Sequence, residues 1–365
     1  MRIAYWINWD LASNDGVTKA VKARLECWRD LGHEVKVFGL TRGNHDQIPF
    51  DGEFISKPLH KGRSIRELID RCLAFKPDIC NQRLEFFHWE LVKLYRSVPT
   101  VIELHTLCRK EYLHQMRNSP LKWGARYLIY ELSHRYQYGE AAGFVGVTQE
   151  ILDQNLRGFR NKPSVVVANS VDIFEGREFP ANGEDGKSVR PQVVFTGSAR
   201  CPWHGLDRLK ELANSCKGAV DFHVIGPLAD DDRASSITHH GPVYGEAFLQ
   251  KLSQYDVGIG PLAFDRNQMK EACPLKVRDY VKVGMAMAIR HKDPCLPGDA
   301  MPDWVFNFDS DRDPLLQADE FVSFCRRWTA KRTPIAEREK LFILKNVEMR
   351  RMKFFEGLLR PGKTS

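Results

Sequence analysis

Short apolar segments alternate with amphipathic ones along the chain, and this alternation limits the fold more than any other feature. Residues 2–9 form a strand-like run, a glycine-bearing loop and a helical pattern follow, and residues 34–40 form a second strand-like run. Similar segments follow at 78–81, 100–104, 143–147 and 164–167. Such a series is typical of a parallel, doubly wound α/β sheet. The first loop lacks the pattern G-x-G-x-x-G, so a dinucleotide-binding site is not predicted.

The series starts again near residue 193, after a polar stretch rich in glycine and proline at 173–192. A chain of 365 residues is also longer than one typical core. We therefore predict an N-terminal domain of residues 1–172, a linker at 173–192 and a C-terminal domain of residues 193–344. The chain ends in one long basic helical pattern, whose last part, about residues 345–365, is long enough to return to the N-terminal domain.

Composition places the chain among ordinary globular proteins, since 43% of its residues are hydrophobic and 28% are charged. No apolar run is long enough to span a bilayer, and the N-terminus does not resemble a signal peptide. The nine cysteines are dispersed without a C-x-x-C pair, which indicates reduced thiols rather than disulfides or a zinc site. These features predict a cytoplasmic protein.

The strongest candidate for a binding segment surrounds Pro274. Proline suits the first position of a helix, and the amides of Leu275 and Lys276 would then lack helical partners. A helix start of this kind binds anions, and Lys276 adds a full charge. Glu271 and Asp279 bracket the segment with carboxylates, so it suits a ligand that carries both phosphates and hydroxyls, such as a nucleotide sugar. The alternative is an ordinary amphipathic helix whose apolar side is formed by Val277, Tyr280 and Val281.

Two further positions carry candidate ligand contacts. The loop G-S-A-R-C-P-W-H-G follows a predicted strand and combines Gly197 with Arg200 and His204, a set that suits phosphate. His105 directly follows the strand-like run V-I-E-L, and ligands of open α/β sheets gather at the carboxyl ends of strands. The alternative for His105 is a structural role at the strand end.

Two acidic runs raise the question of a metal site. One consists of the aspartates at 230–232, and the other contains Asp309, Asp311 and Asp313. Paired carboxylates can bind Mg²⁺ or Mn²⁺, but both runs have the sequence context of turns and helix starts. We interpret them as solvated turns and predict no metal ligands and no cofactor.

Residues 107–138 mix basic and aromatic residues, and the net charge of the chain is +7. This stretch could lie on an anionic membrane, with the aromatic rings at the headgroups. The alternative is a solvated helix face with the aromatic residues in the core. A nucleic-acid partner is not predicted.

The motifs together resemble the family 4 retaining glycosyltransferases of the GT-B fold, over nearly the whole chain. D-G-V-T-K-A-V with L-G-H-E-V-K-V-F is similar to their opening, and K-P-D-I and V-I-E-L-H follow in the expected order. V-V-V-A-N-S-V-D resembles their domain-crossing segment, the loop from Gly197 their phosphate loop, and E-A-C-P-L-K-V-R-D-Y-V-K-V-G-M-A-M-A their E-x7-E segment. The order of these motifs is more specific than any one of them.

This resemblance implies two Rossmann-like domains that face each other across a cleft and assigns roles by position. Glu271 would hold hydroxyls of the donor sugar and His105 would reach the transferred sugar, so these two are the expected catalytic residues. The expected donor-binding residues are Gly16, Arg200, His204, Pro274, Leu275, Lys276 and Asp279. The chain departs from the family at Asp279, where the family has Glu, and in the phosphate loop, where the family's basic pair falls on Ser198 and His204.

The predicted activity is transfer of a sugar from a nucleotide-diphosphate sugar to a saccharide or lipid-linked acceptor. Retention of configuration, no need for a metal, and a place in cell-surface polysaccharide or glycolipid biosynthesis follow from the resemblance. The predicted location is the cytoplasm, with the inner face of the membrane as a peripheral site. Two alternatives remain open, a nucleotide-sugar epimerase of the same fold and a non-catalytic protein that binds nucleotide sugars.

Overall fold

The computed structural model describes residues 1–13, 15–41, 45–56, 62–84, 88–116, 119–172, 179, 190–197, 201–228, 234–298 and 300–360. The strands are β1 (Arg2–Asn8), β2 (Glu34–Thr41), β3 (Gly52–Ser56), β4 (Ile79–Arg83), β5 (Thr100–Leu104), β6 (Gly143–Gly146), β7 (Ser164–Val166), β8 (Gln192–Thr196), β9 (Asp221–Ile225), β10 (Ile237–His239), β11 (Val257–Ile259), β12 (Ala286–Ile289) and β13 (Val305–Asn307).

The helices are α1 (Gly16–Asp30), α2 (Gly62–Ala74), α3 (Leu91–Ser97), α4 (Cys108–Met116), α5 (Pro120–Glu140), α6 (Gln149–Asn155), α7 (Leu206–Ser215), α8 (Gly245–Leu252), α9 (Leu275–Lys282), α10 (Ala318–Trp328), α11 (Ile335–Phe342) and α12 (Leu344–Leu359). None of the helices in the described part of the chain has the length and apolar character needed to cross a bilayer.

The chain divides into two compact units. The N-terminal unit contains Met1–Ala168 together with Leu344–Ser365, and the C-terminal unit contains Asn169–Ile343. The first division therefore comes four residues before the expected end at 172. The expected linker, 173–192, belongs to the C-terminal unit, and most of it lies outside the described residues.

The N-terminal unit is built on a seven-stranded parallel sheet in the order β3-β2-β1-β4-β5-β6-β7. The interior strand β1 is buried along Ile3–Ile7, because helices cover both faces of a sheet of this kind. One face packs against α1 and α12 and the other against α2 and α3, as the two core clusters show. The edge strand β3 was not predicted from the sequence.

The C-terminal unit contains a second parallel sheet, with six described strands in the order β10-β9-β8-β11-β12-β13. Its core includes the apolar side of α9, where Val277, Tyr280 and Val281 are fully buried. The two sheets confirm the predicted α/β class with two doubly wound, Rossmann-like units.

The end of the chain forms two helices rather than the one long helix expected from the sequence. Ile343 separates α11 from α12; its backbone is extended, and it forms a bridge with Val171. The unit boundary falls at this break, so α11 belongs to the C-terminal unit and α12 to the N-terminal unit.

A buried network of charges holds α12 in the N-terminal unit. Glu348 Oε1 accepts a hydrogen bond from Arg24 Nε at 3.0 Å, and its Oε2 accepts from Arg351 Nε at 2.7 Å and from Trp28 Nε1 at 2.8 Å. Arg351 Nη2 also donates to Glu103 Oε1 at 3.0 Å. Burial disfavours the charge on Glu348, but Arg351 and Arg24 outweigh it and lower the pKa of Glu348. The network therefore joins α1, β5 and α12 through paired charges.

Candidate functional site

The start of α9 has the geometry of an anion-binding helix terminus. Pro274 is the N-cap residue and Leu275 begins the helix, so the helix starts one residue later than the sequence predicted. The first amides of a helix have no partner inside the helix, so the N–H groups of Leu275 and Lys276 are free to bind a ligand.

Lys276 places its amine in an enclosed position beside this terminus. Its Nζ is buried, has no hydrogen-bond partner among the described residues and lies 4.3 Å from the centre of the Phe195 ring. Burial lowers the pKa of the amine from 10.5 to about 7. A buried amine without a partner is costly, and an anion at this position would supply the missing contacts.

Gly197 gives the backbone room to approach this amine. Its φ is +155°, and a Cβ atom at this position would lie 2.7 Å from Lys276 Nζ and 3.1 Å from His204 Nδ1. The His204 ring also packs edge-on against Phe195, with ring centres 5.9 Å apart. The structure thus brings together three sequence-predicted positions: Gly197, His204 and Lys276. Arg200 and Ser198 lie outside the described residues.

Glu271 and Asp279 lie on either side of the helix start with half-buried side chains. The backbone of Glu271 is fixed by a bridge to Lys292, because Ala272 N donates to Lys292 O at 3.0 Å and Lys292 N donates to Lys270 O at 2.8 Å. Asp279 lies one turn after Leu275, on α9 itself. Along the chain, one carboxylate therefore precedes the helix start and the other follows it by one turn.

Two residues hold α9 in place: Arg278, which sequence analysis missed, and Tyr280, which it named only as part of the apolar side of the helix. Arg278 forms a buried bidentate ion pair with Asp293, with contacts of 2.6 and 2.8 Å. Its Nε also donates to the backbone oxygen of Asn169 at 2.5 Å. Tyr280 Oη donates to Ile259 O at 3.0 Å and accepts from Thr196 N at 3.1 Å. These contacts fix the helix start relative to β8 and β11.

In the N-terminal unit, His105 follows β5 as the sequence predicted. Arg83 Nη1 lies 2.8 Å from His105 Nε2, and Glu103 Oε1 lies 3.4 Å from the same atom. Burial and the charge of Arg83 lower the pKa of His105 to about 4. The imidazole is therefore neutral near pH 7. Because Arg83 is always a donor, Nε2 accepts its hydrogen bond and the ring proton lies on Nδ1.

Residues at the ends of three neighbouring strands gather around His105. Arg83 ends β4 and stacks over Trp9, whose ring centre is 5.4 Å from the guanidinium carbon. Trp9 follows β1 and donates through Nε1 to Asp15 at 3.0 Å. Asp15 caps α1, and the exposed Gly16 begins that helix. The sequence pointed to His105 and Gly16 but not to Arg83 or Trp9.

The second acidic run forms a turn and a helix cap, in agreement with its interpretation from the sequence. Asp309 Oδ1 accepts from Asp311 N at 2.9 Å, and Asp313 Oδ1 accepts from Leu315 N at 3.0 Å. Within the described ranges, no three His, Cys, Asp or Glu residues form a group that could hold a metal ion. The run at 230–232 lies outside those ranges.

Residues 14–174 match the family Glycosyltransferase Family 4. This N-terminal part of the chain is therefore similar to glycosyltransferase family 4. The match begins just before α1 and extends past Ala168, where the first segment of the N-terminal unit ends. A comparison with curated protein sequences finds no match.

Solved structures of glycosyltransferases share the fold over almost the whole length of the chain. An alpha-glucosyltransferase in complex with UDP-glucose and DNA aligns with a TM-score of 0.66 at 11% identity, covering 98% of this chain and 99% of that chain. The pneumococcal O-GlcNAc transferase GtfA, in complex with UDP and GlcNAc, aligns with a TM-score of 0.64 at 11% identity, covering 99% of both chains. Sucrose-phosphate synthase from Thermosynechococcus elongatus aligns with a TM-score of 0.63 at 11% identity, covering 98% of this chain and 99% of that chain. The chain thus has the GT-B fold.

Proposed function

We propose that this protein is a family 4 glycosyltransferase, which transfers a sugar from a nucleotide-diphosphate sugar to a saccharide or lipid-linked acceptor with retention of configuration. The observation that carries the proposal is the enclosed amine of Lys276, which lies beside the first amides of α9 and has no hydrogen-bond partner among the residues that the structure describes. Several structures of the same fold hold UDP, which supports a uridine diphosphate sugar as the donor.

In this proposal the diphosphate of the donor lies between the start of α9 and the loop at Gly197. The amides of Leu275 and Lys276 donate to phosphate oxygens, and Lys276 Nζ supplies the charge. His204 lies on the loop side of the same position. As the bond between the sugar and the diphosphate breaks, negative charge grows on the leaving group, and these fixed donors stabilise it.

The sugar and ribose hydroxyls are assigned to the two carboxylates. Glu271, held by the bridge to Lys292, accepts from hydroxyls of the transferred sugar, and Asp279 accepts from the ribose. His105 is neutral and offers its Nδ1–H to the sugar, while Arg83 occupies Nε2. A neutral donor positions a sugar oxygen without adding charge beside the developing oxocarbenium ion.

The acceptor is assigned to the saccharide or lipid-linked class, and the reaction to cell-surface polysaccharide or glycolipid biosynthesis at the cytoplasmic face of a membrane. The support is the family and the basic character of residues 107–138. In this proposal Lys276 and the amides of α9 bind the phosphates, so the transfer needs no metal.

Lys276→Met tests the donor site. Loss of one charge-assisted contact costs about 1.5–3 kcal/mol, so the affinity for UDP should fall roughly 10- to 150-fold in calorimetric titrations. Lys282→Met, in the last turn of the same helix, is the matched control and should bind UDP as the unchanged protein does. If Lys276→Met retains full UDP affinity, the proposed diphosphate position is wrong.

A screen of nucleotide sugars for thermal stabilisation identifies the donor, and product analysis separates transfer from epimerisation.

A further inference from the structure

One face of α5 exposes a row of leucines to solvent. Leu121, Leu128 and Leu132 have 92%, 59% and 73% of their surface exposed. Successive helical residues are rotated by about 100°, so these three side chains lie within about 40° of one another. Single exposed leucines are common on protein surfaces, but an aligned row indicates an interaction site. We call these three residues the α5 leucine row.

Cations flank the leucine row on both sides. The helical rotation places Lys122 and Arg126 on one flank, beyond the exposed Ile129, and Arg135 on the other. The other exposed positions of α5 in the described chain are Pro120, Ala125 and Gly139, so none of its exposed residues is acidic. Glu131 is half-buried and paired with Arg109. The exposed face is thus apolar in the middle and positive at its edges.

The aromatic residues of this region pack inward, which is the second of the two alternatives that the sequence left open. Tyr112 on α4 packs against Tyr130 and Trp123 on α5, with ring centres 5.2 and 6.1 Å apart. Tyr130 is buried, and Tyr138 is fully buried. The aromatic rings therefore join α4 to α5, and the outward face of α5 is formed by aliphatic and basic side chains.

We propose that the α5 leucine row docks on the surface of an anionic lipid bilayer. The leucines enter the boundary between headgroups and acyl chains, and Lys122, Arg126 and Arg135 contact the anionic headgroups. A second copy of the chain fits this face poorly, because a two-fold contact would bring the same cations together without acidic partners. The inference deepens the proposed function, since it gives the enzyme a membrane on which a lipid-linked acceptor would lie.

Vesicle flotation tests the proposal without any transfer reaction. The protein should float with vesicles of phosphatidylcholine and phosphatidylglycerol, but not with phosphatidylcholine alone. The triple variant Leu121→Ser, Leu128→Ser and Leu132→Ser should lose at least ~10-fold in affinity for the anionic vesicles, because the apolar contact is removed. The double variant Lys122→Gln and Arg126→Gln should also bind less, and binding of the unchanged protein should weaken with salt.

Leu316→Ser is the matched control, since Leu316 is a leucine of the C-terminal unit that is 69% exposed. It should float as the unchanged protein does, and all variants should keep their melting temperature and UDP affinity. The proposal is overturned if the unchanged protein does not bind anionic vesicles or if the triple leucine variant binds them equally well. It is also overturned if the protein is a dimer that the leucine variant dissociates. UDP binding is measured on the same samples, so failure of the proposed donor site is recognised separately.

Discussion

At the scale of single residues, Lys276 carries the chemistry proposed for the donor site. In the family pattern the phosphate loop supplies the basic residues, but here those positions fall on Ser198 and His204. Lys276 reaches the same loop from the start of α9, where its amine lies close to Gly197. In the proposed site the positive charge is thereby attached to the helix whose amides would bind the same anion.

The position of Lys276 predicts that donor binding depends on pH. In the free protein its pKa is lowered by burial to about 7, so the amine is largely uncharged above that pH. A bound diphosphate requires the charged amine, so binding takes up a proton, and UDP affinity should fall by up to about tenfold per pH unit between about pH 7 and about pH 9. Calorimetric titrations in buffers of different ionisation enthalpy measure this uptake directly. Lys276→Arg stays charged throughout and should abolish the dependence, whereas a flat profile in the unchanged protein would contradict the argument.

Glu271 is predicted to act in the transfer step rather than in donor binding. Glu271→Gln removes a carboxylate that accepts from the sugar hydroxyls and should lower kcat at least ~100-fold. UDP affinity should stay nearly unchanged, because UDP lacks the transferred sugar. Glu320→Gln, at an exposed position of α10, is the control and should have no effect on turnover. A folded Glu271→Gln protein with full turnover would remove Glu271 from the mechanism.

At the scale of secondary-structure elements, the sequence predicted the features that depend on residues adjacent in the chain. The proline before α9, the buried side of that helix and the strand before His105 are all local patterns, and the structure contains each of them. Arg83 and Arg278 were missed because their partners come from elsewhere in the chain. Arg83 reaches His105 only because β4 and β5 are neighbours in the sheet, and Arg278 pairs with Asp293 across the turn after β12.

The buried charge network predicts the stability of α12. Glu348→Leu removes one of the acceptors of Arg24 and of Arg351 and the acceptor of the indole N–H of Trp28, and should destabilise the N-terminal unit by about 3–5 kcal/mol. Urea unfolding measures the loss, and hydrogen exchange shows whether it falls on α1, β5 and α12. Glu356→Gln, an exposed change on the same helix, should cost less than about 0.5 kcal/mol. Equal stability of the two variants would mean that packing alone holds α12.

At the scale of the whole molecule, the order of the motifs along the chain predicted two α/β units and the family. The boundaries were less predictable, because the break at Ile343 has no proline or glycine to mark it. Polar composition suggested the linker at 173–192, but a change of unit depends on which core each segment joins. Val171 packs in the core of the C-terminal unit, so that unit begins before the polar stretch.

The distribution of charge predicts that turnover does not require a divalent metal. The described acidic run caps its own turn, and in the proposed site Lys276 and the amides of α9 bind the phosphates. Treatment with EDTA should therefore leave the rate of transfer unchanged, as measured by release of the nucleotide. The aspartates at 230–232 provide the control: if EDTA abolishes activity and Mn²⁺ restores it, their replacement by Asn shows whether they hold the ion.

The position of α12 also has a consequence for synthesis on the ribosome. The first 168 residues emerge early, but Arg24 and Glu103 meet Arg351 and Glu348 only when the last helix has left the exit tunnel. The segment translated first is therefore the part of the molecule completed last. The C-terminal unit, which contains Asn169–Ile343, has its whole sequence available before that moment. A released chain that ends at residue 343 should accordingly hold a finished C-terminal unit and an unfinished N-terminal one.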